Sequence, residues 1–193
     1  MKSDIILAGV GGQGILTIAT IVGQAAMERG LQVKQSEVHG MAQRGGAVVA
    51  HLRLSSDPIY ADLIGLGGAD VILAVEPMEA LRYTGYLRPG GVVLANTEPV
   101  KNIPDYPDEA ALRERLQALP RSLVIDAGAM AKAAGSARAM NIVMLGALSP
   151  FIGLSEADLA GAVRTAFARK GDEVVQTNLR AFAAGRAAAT AVL

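Results

Sequence analysis

The sequence contains no cysteine, and its aromatic residues amount to only 4% of 193. Without cysteine there can be no disulfide, no thiolate nucleophile and no cysteine-held iron–sulfur cluster inside this chain. Two histidines lacking thiolate support give no basis for a zinc site, so no metal is expected here. With so few aromatics the core must come from Ala, Val, Ile, Leu and Met, a composition suited to helices packed closely on a buried sheet. An excess of one charge is also missing: Lys plus Arg and Asp plus Glu each number 18. No long-range field therefore gathers nucleic acid or an anionic membrane. The apolar runs break at Gly, Pro or charge before reaching the roughly 20 residues that span a bilayer. The opening "MKSDIILAGVGG" has no charged leader ahead of a cleavable apolar segment, so a cytoplasmic protein is expected. At this length one domain covering residues 1–193 is the expectation, able to bury roughly 70% of its extended-chain surface.

What is present alternates between strand-like and helix-like patterns. "DIILAG" (4–9) reads as a buried parallel strand. Residues 12–30 follow as a helix, with Ile15, Ala19, Val22 and Ala26 on one face and Gly30 as its stop. "LQVKQSE" (31–37) completes a βαβ unit. "AVVAHLRLS" (47–55) alternates, which predicts a half-buried strand, antiparallel to its neighbour or at an edge, with His51 on its solvated or interfacial face. Residues 70–76, 91–97 and 122–127 read as further strands, with a turn at "LRPGG", and 108–119 as an amphipathic helix. Beyond residue 128 three helical pieces are expected around Pro150 and Gly171. The fold class is α/β: a doubly wound, mostly parallel Rossmann-like sheet with helices on both faces and a helical C-terminal third.

Two stretches carry chemistry. "GVGGQG" sets Gly9, Gly11 and Gly14 in a G-x-G-x-x-G pattern between the first strand and its helix, with Gly12 and Gln13 inside it. Such a turn offers unpaired N–H groups and a partial positive charge to an anion, or it simply permits tight strand–helix packing. Glu37 lies where a ribose-binding acid would stand, which keeps open a free-standing NAD-binding oxidoreductase. The second stretch, "EVHGMAQRGG" (37–46), holds more side-chain chemistry than a connector needs. Arg44 suits a forked contact with an anion, or a salt bridge to Glu37. Gly45 and Gly46 can add N–H groups beside it, and Gln43 a neutral hydrogen bond. His39 suits a proton relay or a bond across a subunit contact, and Met41 an apolar partner contact. Elsewhere Asn141 reads as a helix cap or a group aimed at the glycine turn, with the cap preferred. Asp126 reads as a hydrogen-bonding group for a ligand or the start of a helix, with the helix start preferred, and Asn178 with Phe182 as helix packing with a polar anchor.

"GVGGQGILT", "SEVHGMAQRGG" and "NIVMLGAL", in that order, resemble the gamma-type domain of 2-oxoacid:ferredoxin oxidoreductases, and the similarity runs over almost the whole chain. The wording of the loop resembles most the small subunit of the indolepyruvate branch. The resemblance implies an accessory subunit of a thiamine-dependent enzyme that oxidatively decarboxylates a 2-oxoacid, passes two electrons to ferredoxin and yields an acyl-CoA. It places thiamine diphosphate, magnesium and [4Fe-4S] clusters on a large (alpha) partner subunit, with ferredoxin met through that partner and coenzyme A as a possible shared substrate. No catalytic residue is then expected in this chain alone, which would be inactive by itself. The glycine turn and Gln43–Gly46 would form a wall of the active site, and Glu37, His39 and Met41 would meet the partner. The sequence agrees with this division: it lacks a G-D-G motif, and "KGDEVV" (170–175) reads as a turn between helices.

Overall fold

The computed structural model describes residues 1–39 and 45–191. Six strands, β1 (Lys2–Val10), β2 (Gln32–His39), β3 (Ala47–Ser55), β4 (Ala69–Ala74), β5 (Leu87–Asn96) and β6 (Ser122–Ile125), form one sheet in the order β2-β3-β1-β4-β5-β6. Strands β1, β4, β5 and β6 run parallel, while β3 is antiparallel to both its neighbours. Among the described residues seven α-helices accompany them: α1 (Ile15–Glu28), α2 (Pro77–Arg82), α3 (Glu109–Gln117), α4 (Ala127–Ala133), α5 (Met140–Leu148), α6 (Glu156–Phe167) and α7 (Asp172–Thr190). α1, α4, α5, α6 and α7 cover one face of the sheet. α2, α3 and Ile64 cover the other. The mostly parallel doubly wound sheet and its helical C-terminal third are therefore observed.

Four expectations need correcting. β3 takes the antiparallel alternative and not the edge; it lies between β2 and β1, so β1-α1-β2 is not an adjacent βαβ unit. Its supposedly solvated face is closed by residues 56–68, which fold back over it. Ile64 N–H donates to His51 Nδ1 (3.0 Å), and His51 is only 5% exposed. "LRPGG" begins β5 instead of forming a separate turn. Finally, the described part of the C-terminal third contains four α-helices, because Gly135, at φ +114°, ends α4 well ahead of the first expected break at Pro150. The break at Gly135 and the 3-10 turn after it set α5 against α7.

Close packing explains the alanine-rich end of the sequence. Where α5 crosses α7, a Cβ on Gly146 would overlap the Phe182 carbonyl, and one on Gly185 would overlap that of Val143. The two backbones touch there, and Ala147, Ala181, Ala189 and Phe182 fill the surrounding space. Asn178 Nδ2 donates to Val174 O (2.8 Å), as a polar anchor beside buried Phe182 should.

His51 makes a testable contribution to pH dependence. Burial, with the Arg53 cation adding to it, holds the imidazole below its ordinary value of 6.5. The unfolded chain therefore takes up a proton near pH 6.5 that the folded chain refuses. The stability from neutral His51 is intact above that pH and drains away as pH falls toward the folded value. Thermal melts should show a decline below about pH 6.5. His51→Gln, which keeps an acceptor for Ile64 N–H, should show a shallower one.

Candidate functional site

In open α/β sheets the ligand crevice lies beyond the carboxyl ends of the strands, where the chain switches direction. Here that point falls between β1 and β4, and the protein's own amides fill it. Val10 N–H donates to Gln13 Oε1 (2.8 Å), and Gln13 Nε2 donates to Val75 O just past β4 (3.2 Å). Asn96, at the end of β5, gives a second donor to Val75 O (3.3 Å) and accepts from Ala127 N at the head of α4 (3.0 Å). Gln13 thus bridges the ends of two strands across the switch point, and an incoming pyrophosphate there would have to displace it. This argues physically against the NAD-binding alternative.

The glycines of the turn divide into separate roles. Gly9 is buried, and a Cβ there would collide with Val75 and press within 2.9 Å of Gln13 and Ile15, so packing alone already requires a glycine at this position. Gly14 caps α1 in the left-handed region (φ 80°). Asn141 Nδ2 lies against it and donates to Gly14 O (3.3 Å), which overturns the preferred cap reading of Asn141 in favour of the glycine turn. The N-cap of α5 is instead Ala139, which offers no side-chain bond. Asp126 does begin its helix: Oδ1 accepts from Ala129 N (2.8 Å). Gly12, at φ 101°, faces open space. With Val10, Gly11, Gly14, Ile15, Leu16 and Val48 it lines a surface depression of about 290 Å³.

The turn is joined to the end of the polar loop. Gly11 N–H donates to Gly46 O (2.8 Å), and Gly45 N–H donates to Gly11 O at a longer 3.4 Å. The Gly11 and Gly45 amides are thus engaged with each other's segment and are not held out for an anion. Gly45 O in turn accepts from Asn102 Nδ2 (2.6 Å). Glu37 is half-buried on β2 opposite Ala50. His39 closes β2, and its side chain lies outside the described residues, as do Met41, Gln43 and Arg44 entirely.

Sequence reasoning missed Asn96, Asn102, Glu76 and Tyr106. Glu76 is fully buried as the N-cap of α2, where Oε2 accepts from Glu79 N (2.9 Å). Its Oε1 accepts from Val100 N (3.4 Å) and, in a short bond, from the Tyr106 hydroxyl. Burial first, and the Glu76 carboxylate next, push the Tyr106 phenol far above its ordinary value. Burial likewise raises the Glu79 carboxyl, against the opposing pull of Arg82. "VEP" was the signal available: an acid just before a helix-starting proline. Asn96 and Asn102 offered only a lone polar residue at a strand end and in a loop. Among the described residues no group of three or more His, Asp or Glu side chains is placed to hold a metal ion, and no helix is long and apolar enough to cross a membrane.

The fold and this edge define an open α/β protein of Rossmann-like type whose usual ligand crevice is stopped by Gln13 and Asn96. Residues 4–188 match the family model described as pyruvate ferredoxin/flavodoxin oxidoreductase, and the chain belongs to that family. It is 38% identical to indolepyruvate oxidoreductase subunit IorB of Thermococcus kodakarensis, over 98% of this chain and 97% of that protein. To the IorB subunit of Archaeoglobus fulgidus it is 41% identical, over 77% of this chain and 76% of that one. Among solved structures it resembles the gamma subunit of a keto/oxoacid ferredoxin oxidoreductase from Geobacter sulfurreducens (TM-score 0.73, 28% identity, 98% and 99% of the two chains). It also resembles 2-oxoglutarate:ferredoxin oxidoreductase from Magnetococcus marinus, solved with 2-oxoglutarate, coenzyme A and succinyl-CoA (TM-score 0.79, 27% identity). All of this chain is covered there, but it spans only 32% of that longer chain.

Proposed function

We infer that this chain is the small subunit of an indolepyruvate-type 2-oxoacid:ferredoxin oxidoreductase. The observation that carries the reading is its near end-to-end similarity to IorB subunits. In the assembled enzyme an aryl pyruvate loses CO2, its acyl group passes to the sulfur of coenzyme A, and the two electrons released go to ferredoxin. A chain without cysteine holds no cysteine-ligated cluster, which supports a division of labour in which the large subunit carries the clusters together with thiamine diphosphate and magnesium. What this subunit supplies is a wall: Gly11, Gly12, Gln13 and Gly14 together with Gln43, Arg44, Gly45 and Gly46. Arg44 meets an anionic group of the oxoacid or of coenzyme A, and Glu37, His39 and Met41 contact the partner. Exposed Val38, Tyr60, Leu63 and Leu66 fit a subunit that is covered by another protein.

Co-expression with the large subunit tests the assignment. The pair should turn over indolepyruvate with ferredoxin, and this chain alone should neither do so nor saturate with NADH. Either activity in the isolated chain would overturn it. Within the pair, Arg44→Ala should lower kcat/KM for one anionic substrate by about 10- to 100-fold, the worth of a charge-assisted contact. Arg44→Lys should recover only part, because it lacks the planar fork. Unchanged kinetics in Arg44→Ala would remove Arg44 from the wall and leave the subunit assignment standing.

A further inference from the structure

We propose that Asn102 is a positioning residue for the loop wall: its amide fixes the Gly45 end of residues 37–46 against the glycine turn. The proposal rests on the function inferred above, but three features of the structure argue for it separately. First, the bond is direct, with Asn102 Nδ2 donating to Gly45 O at 2.6 Å. The amide cannot be turned round, because Oδ1 would then face a carbonyl oxygen. Second, Asn102 Oδ1 is buried and has no hydrogen-bond partner among the described residues. An unsatisfied buried acceptor is unfavourable, so an amide here is a net liability unless its donor half does something an apolar side chain would not.

Third, the segment bearing Asn102 is itself fastened. It belongs to the irregular stretch of residues 97–108 between β5 and α3. Glu76 grips that stretch on both sides of Asn102, through Val100 N–H and the Tyr106 hydroxyl, and Asn102 N–H donates to Val100 O (2.8 Å). Glu76 directly follows Val75, whose carbonyl receives Gln13 and Asn96. A path of hydrogen bonds, joined through the Val75–Glu76 and Val100 backbone, therefore runs from the ends of β4 and β5 to Gly45. Gly45, at φ +79°, is held by that path and by its pairing with Gly11.

The test combines hydrogen exchange with kinetics. Asn102→Asp keeps the shape but replaces the donor with a second acceptor, and Asn102→Ala removes both. In the isolated chain each should speed amide exchange at Gly45 and Gly46 by about fivefold, the worth of one neutral hydrogen bond. Exchange in β1 and β4 should stay unchanged, and Asn102→Gln, which keeps a donor on a longer stem, should retain part of the protection. In the assembled enzyme Asn102→Ala should lower the same kcat/KM that Arg44→Ala lowers, and the double variant should be no worse than Arg44→Ala alone. Unchanged exchange at Gly45 and Gly46 overturns the proposal. Faster exchange with unaltered kinetics also overturns it, since the amide is then only structural. If Arg44→Ala is silent while Asn102→Ala is impaired, the role of Arg44 falls and that of Asn102 stands.

Discussion

Gly185→Ala should lower the melting temperature by about 6–12 °C, a loss of about 3 kcal/mol or more from overpacking in a chain of this length. Helix propensity alone predicts the opposite, since alanine is favoured over glycine in a helix interior by about 1 kcal/mol. Packing decides the sign. A Cβ at Gly185 would overlap the carbonyl oxygen of Val143 and sit 2.7 Å from its carbon and 3.0 Å from Ala147 N. These are backbone atoms of α5, not flexible tips, so the two helices must separate to admit one methyl group. Gly161 in α6 provides the contrast, with nothing within 4 Å of its Cβ position. Gly161→Ala should raise the melting temperature by a few degrees, and if both variants were stabilised the α5–α7 crossing would be misplaced.

Arg53→Leu should cost about 3–5 kcal/mol in urea unfolding, the usual penalty for removing one partner of a buried ion pair. Asp4 is 3% exposed, and the guanidinium grips it twice, Nε to Oδ1 at 2.7 Å and Nη2 to Oδ2 at 3.2 Å. Lys2 also reaches Asp4 (3.1 Å), but its side chain is 64% exposed and replaces little of that interaction. Nη1 meanwhile donates to the carbonyls of Ala61 and Leu63 (2.9 and 3.2 Å), fastening residues 56–68 beneath their exposed Tyr60 and Leu66. Two effects should therefore appear together: lower global stability and faster proteolysis within residues 56–68. Adding Asp4→Asn to Arg53→Leu should recover part of the stability by removing the orphaned charge, but none of the protease resistance. Recovery of both would mean that the carbonyl contacts are unimportant.

Periodicity carried the sheet well. "DIILAG" and "GVVLANT" are apolar without alternation because both faces of those strands are covered, and each was read correctly as buried. β3 misled for a physical reason. Its alternation of His51, Arg53 and Ser55 with apolar residues mimics a solvent-facing strand, yet the polar face is met by polar groups of residues 56–68 and by Asp4. Burial with satisfied hydrogen bonds looks in a sequence just like exposure. The glycine turn was legible as a motif but not as a division of labour, since Gly9 packs, Gly14 turns and Gly12 lies open only once Val75, Asn141 and Gly46 arrive from distant parts of the chain. Asn102 shows the limit most plainly. Its partner Gly45 is 57 residues away, and no local pattern announces such a bond.

Gln13 has an implication for life among abundant soluble nucleotides. Many sheets of this shape leave their mouth open to phosphates, whereas here a single amide is latched across the gap between Val10 and Val75. A phosphate entering between β1 and β4 would have to displace that amide, and so forfeit two hydrogen bonds that the strand ends already hold.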